Sequence, residues 1–368
     1  MIDRAGLEIR YTLLGYRGFE SLTFRNKVIG EWRQAALFFL RHVDAIISRI
    51  VRYYCVLRYR FVVILSLMML FVQSAFAQYD PNFSHYFDME PSYNPASVGK
   101  EAKINVTAAY ALNFAGFENN PRTMYFGADI PFYAMKSYHG VGGQFMNDQI
   151  GAFKHQRLTV QYANKQRLFG GTLGIGIQAG LLLETFDGSK IDVVDTDDPV
   201  FTSGKLDGNA VDLGAGLYYM RGRWYVGASV LHITAPLIQL GERNELQVDR
   251  TYYLTGGYNI KLRNPFLTIH PSALLRTDGS NFRADVTARL VYTHEKRFMY
   301  AGVSYSPTNS VTAMIGGSLY GVNLGYSYEM YTGGISLGHG SHELVVSYKV
   351  DINLVKKGRN LHKSVRIL

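Results

Sequence analysis

The sequence predicts an all-β protein, a closed antiparallel transmembrane β-barrel of about 14 strands. Three observations carry that reading. Apolar residues recur with a period of two, and the face opposite them carries Gly, Asn, Ser, Gln and Glu. The 368 residues include 37 Gly and 27 Tyr while only 18% are charged, an excess that suits crowded backbones and interfacial aromatic belts. The longest nearly unbroken apolar run, 61–72, has 12 residues and is too short for a membrane-spanning helix.

The N-terminal elements come first. Arg58 and Arg60, the apolar run and Ala75-Phe76-Ala77 describe a secretory signal peptide over 58–77, cleaved at its small-residue site. Residues 1–57 mix apolar and basic groups, contain no Met after Met1, and read as an extension of doubtful translation with a start near Val56 or Leu57. Losing 1–77 removes 11 Lys/Arg, 5 Asp/Glu and the single Cys55, so the +9 of the whole chain falls to +3. A cysteine-free mature chain suits an oxidising compartment. Residues 78–101 read as a periplasmic N-terminal segment.

Residues 102–350 read as the barrel. Leu158, Val160 and Tyr162 share one face, and Thr159 and Gln161 the other. Leu173, Ile175 and Ile177 alternate with Gly174, Gly176 and Gln178. Leu324, Tyr326, Tyr328 and Met330 alternate with Asn323, Gly325, Ser327 and Glu329, and Leu344, Val346, Tyr348 and Val350 repeat the pattern. A soluble sandwich turns its apolar face inward, and glycine is costly in its strands. A membrane barrel turns that face to lipid and small or polar residues to the lumen, with no backbone group left unpaired. The strand spans are 102–112, 121–131, 140–148, 154–164, 171–184, 209–220, 224–234, 247–261, 266–276, 281–293, 297–306, 310–319, 322–330 and 342–350. Asp278-Gly279, Pro307-Thr308-Asn309 and Tyr320-Gly321 supply turns between them. Pro271 predicts a bulge or strand end, because it cannot donate to a ladder.

An even strand number puts both termini on the periplasmic side. The long connection 185–208 then lies outside with a charge of −4, and the short inner turns are basic. Lys136, Lys165, Arg167, Arg221, Arg223, Arg263, Lys296 and Arg297 form a candidate rim for an acidic periplasmic partner, beside solvated turn charge as the plainer reading. Residues 351–368 add a basic periplasmic tail of +4.

Gln78-Tyr-Asp-Pro81-Asn-Phe83-Ser84-His-Tyr86 leads into Pro91-Ser-Tyr93-Asn94-Pro95-Ala96-Ser-Val-Gly99. This opening, with Gly140 to Gly143, Asn147-Asp148 to Gly151, Ala301 to Tyr305, Leu324 to Tyr328 and Gly340 to Leu344, resembles the PorP/SprF family of Bacteroidota outer-membrane proteins. The resemblance covers about 78–350. It implies a non-enzymatic outer-membrane barrel of the type IX secretion system, in contact with outer-membrane lipid and anchoring periplasmic lipoprotein and ring components. It also implies support for protein secretion or gliding adhesin display, with a secreted adhesin as a further partner. Residues 1–57 and the tail 351–368 depart from the family pattern, and the tail puts the insertion signal of the last strand in doubt. Tyr93, Asn94, Pro95, Ala96 and Gly99 form its motif turn; physically, Pro95 fixes its own φ and pushes Asn94 to extended geometry. The turn leads into the first strand or contacts a partner or the lumen.

A transporter of hydrophobic or small solutes is the competing class. FadL-type transporters share 14 strands and an Asn-Pro-Ala turn, but Ser84 to Ser92 here is not Ala-rich. An outer-membrane lipase needs a Ser/His/acid grouping, and His232, His270 and His294 suggest none. His339, His342 and Glu343 lack a fixed helical face for a metal, and Asp195, Asp197 and Asp198 lack the Gly and Glu of a calcium loop. No cofactor, metal or nucleic acid is expected.

Overall fold

The computed structural model describes residues 79–190, 204–241, 244–295, 297–333 and 340–352. The extension 1–57, the signal peptide 58–77 with Ala75 and Ala77, Lys296, His339 and the tail beyond 352 lie outside the described residues.

The strands follow in order: β1 (Lys103–Leu112), β2 (Arg122–Ala134), β3 (Ser137–Ile150), β4 (Phe153–Leu168), β5 (Gly171–Asp187), β6 (Lys205–Arg221), β7 (Trp224–Leu231), β8 (Leu237–Leu240), β9 (Asn244–Gln247), β10 (Thr251–Tyr258), β11 (Ile260–Lys261), β12 (Leu267–Thr277), β13 (Phe282–His294), β14 (Arg297–Ser306), β15 (Ser310–Leu319), β16 (Val322–Tyr331) and β17 (Ser341–Asp351). β10 and β11 are two pieces of one stave, and β8 and β9 form a separate hairpin, so the barrel has 14 staves. Each stave pairs antiparallel with its sequence neighbour. β1 closes on β17 from Lys103↔Asp351 to Leu112↔His342, and β10 joins β7 to β12. Closure leaves no free edge, which a sheet in hydrocarbon cannot tolerate.

The burial pattern inverts that of a soluble protein. Val160 is 64% exposed, while its neighbour Thr159 is 1% exposed. Ile175, Ile177, Leu213, Val286, Val303 and Ile315 face outward in the same way, and Gln178, Asp212, Thr287 and Ser304 face inward. Such a band is stable only against lipid, where each covered aliphatic side chain gains about 1.5–3 kcal/mol. The fold class is therefore the transmembrane barrel, and the sandwich is excluded.

Two strand expectations need correction. Pro271 makes neither a bulge nor a strand end in β12, whose register with β13 runs unbroken from Leu267↔Tyr292 to Thr277↔Phe282. Pairing lapses on its other side instead. β12 meets β10 as far as Ser272↔Gly257 and resumes with β11 at Ile269↔Ile260. The missing N–H matches that lapse, and Asn259 turns its own N–H to Arg223 O at 2.8 Å. The strand expected over 247–261 is likewise divided among β9, β10 and β11, and the β8–β9 hairpin was not anticipated. That hairpin packs on β5 and β6, with Ile238 and the following Val248 buried beside Leu182.

The sequence reads residues 78–101 as a periplasmic N-terminal segment, and the structure sets those it describes, 79–101, within the barrel. They run through its interior. Phe83, Tyr86, Phe87, Met89 and Tyr93 are buried against inward side chains of distant staves, among them Tyr125, Met146, Tyr253, Tyr300 and Val345. Polar inward side chains leave an unfilled lumen wet, and these aromatic groups find their cover by entering it.

Candidate functional site

The filled lumen is the first candidate. The segment starts near the long-loop end of the barrel. Tyr79 donates to Glu184 of β5 and sets its ring edge against His155 and His232. Asp80 is held by three groups: Arg157 Nη1 at 2.8 Å, Tyr253 OH at 2.7 Å and His232 Nε2 at 3.3 Å. Arg276 Nη1 donates to the carbonyls of Asp80 and Pro81 at 2.9 and 3.1 Å. On the far wall, Glu343 accepts the N–H groups of Ser84 and His85 at 2.7 and 2.9 Å, and lies 2.7 Å from His85 Nδ1. A buried carboxylate pinned by two amides and an imidazole is a strong local anchor. Arg289 lies 3.4 Å over the Phe87 ring.

The motif turn comes next, toward the short-turn end. Two 3-10 turns, Glu90–Ser92 and Pro95–Ser97, carry it. Asn94 caps the second, its Oδ1 accepting from Ala96 N at 2.9 Å, with Pro95 in the first position. Asn94 Nδ2 also donates to Leu217 O at 3.0 Å. Four wall side chains bind the segment's carbonyls: Gln161 to Pro91 O at 2.7 Å, Arg157 to Ser92 O at 3.2 Å, Ser229 to Tyr93 O at 2.6 Å and Lys165 to Ala96 O at 2.5 Å. Gly99 N donates to Asp129 at 2.9 Å. The motif is thus both a turn and a lumen contact.

The inward glycines now have a cause. A methyl on Gly176 would overlap the backbone of Pro95 and Ala96, and one on Gly216 would overlap the Asn94 amide. Gly140 presses on Val98 O in the same way. Close approach of segment and wall requires glycine there. Little space remains: the cavities around Asp80, Lys100 and Thr107 hold about 20, 30 and 10 Å³, room for about a water each. A larger cavity of about 210 Å³ lies between Asp88, Tyr300 and Lys349, and another of about 450 Å³ opens at the short-turn end between Tyr133, Lys165 and Arg167.

The basic rim is the second candidate. Lys136, Arg167, Arg221, Arg223, Arg263 and Arg297 are exposed at the short-turn end, and none has an ion pair among the described residues. Lys165 does not belong with them. It is 7% exposed and turned inward to Ala96 O, because β4 runs four residues beyond its expected end at 164. The turns also show apolar tips that the sequence reading missed: Met135, Phe169 and Tyr320 are 93%, 80% and 98% exposed. Each sits in or beside a residue pair with positive φ at a tight hairpin, which is the signal that marks them. Arg221 lies beside Gly170, so two basic turns touch.

His342 and Glu343 project to opposite faces, His342 to Tyr326 OH at 2.7 Å and Glu343 into the lumen. Among the described residues no three His, Cys, Asp or Glu side chains gather as a metal site.

Among solved structures the chain is similar to the CymD monoaromatic hydrocarbon channel, with 11% identity, 74% of this chain and 94% of that chain covered, and a TM-score of 0.46. It is also similar to the toluene transporter TodX of Pseudomonas putida, at 11% identity, 74% and 95% coverage and a TM-score of 0.43. A FadL homologue of Pseudomonas aeruginosa matches at 11% identity, 68% and 89% coverage and a TM-score of 0.39. No curated protein matches. Residues 75–348 match the family described as type IX secretion system membrane protein PorP/SprF. The match spans most of the chain, and the protein belongs to the PorP/SprF family of type IX secretion system membrane proteins.

Proposed function

We propose that the protein is a non-enzymatic outer-membrane barrel of the type IX secretion system that anchors periplasmic lipoprotein and ring components. In this reading the chain reaches the outer membrane through a cleaved signal peptide, and the short-turn end faces the periplasm. The barrel then supports protein secretion or display of a gliding adhesin. The observation that carries the reading is the set of six exposed cations, gathered at one end of the barrel, without carboxylate partners among the described residues. Unpaired charge of one sign favours a partner of the other and steers its approach. The competing reading, a FadL-like transporter of hydrophobic or small solutes, has the filled lumen against it in this state.

Affinity purification from outer membranes with mass spectrometry tests the proposal. The intact protein should recover a periplasmic lipoprotein and a ring protein. Arg221→Glu, Arg223→Glu and Arg297→Glu together should lower that recovery several-fold, more so at low salt, since exposed pairs give about 0.2–1 kcal/mol each. Unchanged recovery sinks the rim. Recovery of the barrel alone favours the transporter.

A further inference from the structure

We infer that the barrel holds a latent pathway for small hydrophilic solutes, closed by residues 79–101 and opened when that segment withdraws through the short-turn end.

The wall beneath the segment is the first ground. Thr159, Gln178, Arg276, Thr287, Ser327 and Glu343 are all buried and face inward from different staves. Permanent protein cores select apolar side chains and rarely bury Arg or Glu. A wall of this composition is stable in water, as the inner faces of aqueous barrels are. Arg157 Nε, Arg276 Nε and Arg289 Nε also lack hydrogen-bond partners among the described residues. Water reaches those groups once the segment leaves, which offsets part of the cost of leaving.

The mode of attachment is the second ground. Residues 79–101 add no strand to the sheet, and the ring closes without them through β1 and β17. Side chains hold the segment, mostly at its main chain, so withdrawal breaks no ladder bond of the barrel.

The direction of exit is the third. At the long-loop end, the β8–β9 hairpin leans inward on β5 and β6, and Tyr79 packs among Ile238, Val248 and Leu182. At the other end the segment joins β1 through Glu101 and Ala102, which are exposed, beside the 210 Å³ cavity. The way out lies on the side where the tether already is.

A protease site inserted between Glu101 and Ala102 in the full chain tests this. The protein is folded first and nicked afterwards, so the barrel need not assemble without its segment. The nicked barrel should keep its heat-modifiable mobility on gels. A labelled synthetic peptide of residues 79–101 should exchange with the nicked fragment, and removal of the fragment should produce unitary currents in planar bilayers and arabinose permeation in liposomes. Three results overturn the inference. In one the fragment never exchanges, in another the barrel unfolds as the fragment leaves, and in the third the vacated barrel passes neither ions nor arabinose.

Discussion

Replacing Asp80 by Ala should loosen the lumen segment by about two powers of ten. Asp80 is the shared partner of Arg157, Tyr253 and His232. Its removal leaves the Arg157 guanidinium buried without a carboxylate, a loss worth about 3–5 kcal/mol. Arg157 Nη2 keeps its bond to Ser92 O at 3.2 Å, which places the expected loss at the low end, about 3 kcal/mol. At about 1.4 kcal/mol per factor of ten, the undocked population should rise about a hundredfold. Thiol labelling reads that population. Thr107 is buried beneath the segment and its hydroxyl has no partner among the described residues. Thr107→Cys in a Cys55→Ser background therefore places one reporter under the plug. A membrane-impermeant maleimide should label Thr107→Cys about a hundred times faster when Asp80→Ala is added. An unchanged rate refutes the reasoning, because it means that the Asp80 cluster does not hold the segment.

Further substitutions separate wall, segment and membrane face. Gly176→Val should raise the same labelling rate, since its side chain overlaps Pro95 and Ala96, while Gly143→Ala, whose nearest new neighbour stands at 3.8 Å, should leave it unchanged. Val160→Arg on the lipid face should cost about 2–4 kcal/mol in barrel stability by denaturant titration in bilayers, against a near-neutral Thr159→Ser on the lumen face. Pro271→Ala restores an N–H where the pairing of β12 with β10 lapses, and should change stability by less than about 1 kcal/mol in the same titration. Glu343→Ala removes the acceptor of two segment amides, and increased proteolysis within residues 79–101 should report it.

The staves were legible because a period of two needs only local sequence. Leu158, Val160 and Tyr162 show it without any knowledge of their neighbours, and the observed faces agree. Inward glycines were legible as lumen residues, but their cause was not, since Gly176 and Gly216 answer to Pro95 and Asn94 far away in sequence. The segment 79–101 reads locally as a turn-rich loop with Pro, Asn and Ser. Its anchors lie 77, 196 and 258 residues away at Arg157, Arg276 and Glu343. The available hint was charge in phase with the small inward residues of β4, β12 and β17. Lys165 was misplaced for a simpler reason, a strand end set too early. The β8–β9 hairpin was lost because four-residue strands give period two too few repeats to register.

Ion conductance of the intact protein in planar bilayers tests the central claim most directly. A barrel whose lumen is filled from Tyr79 to Gly99 should insert and give no steady unitary current. A steady open-channel current from the intact, uncut chain would contradict it.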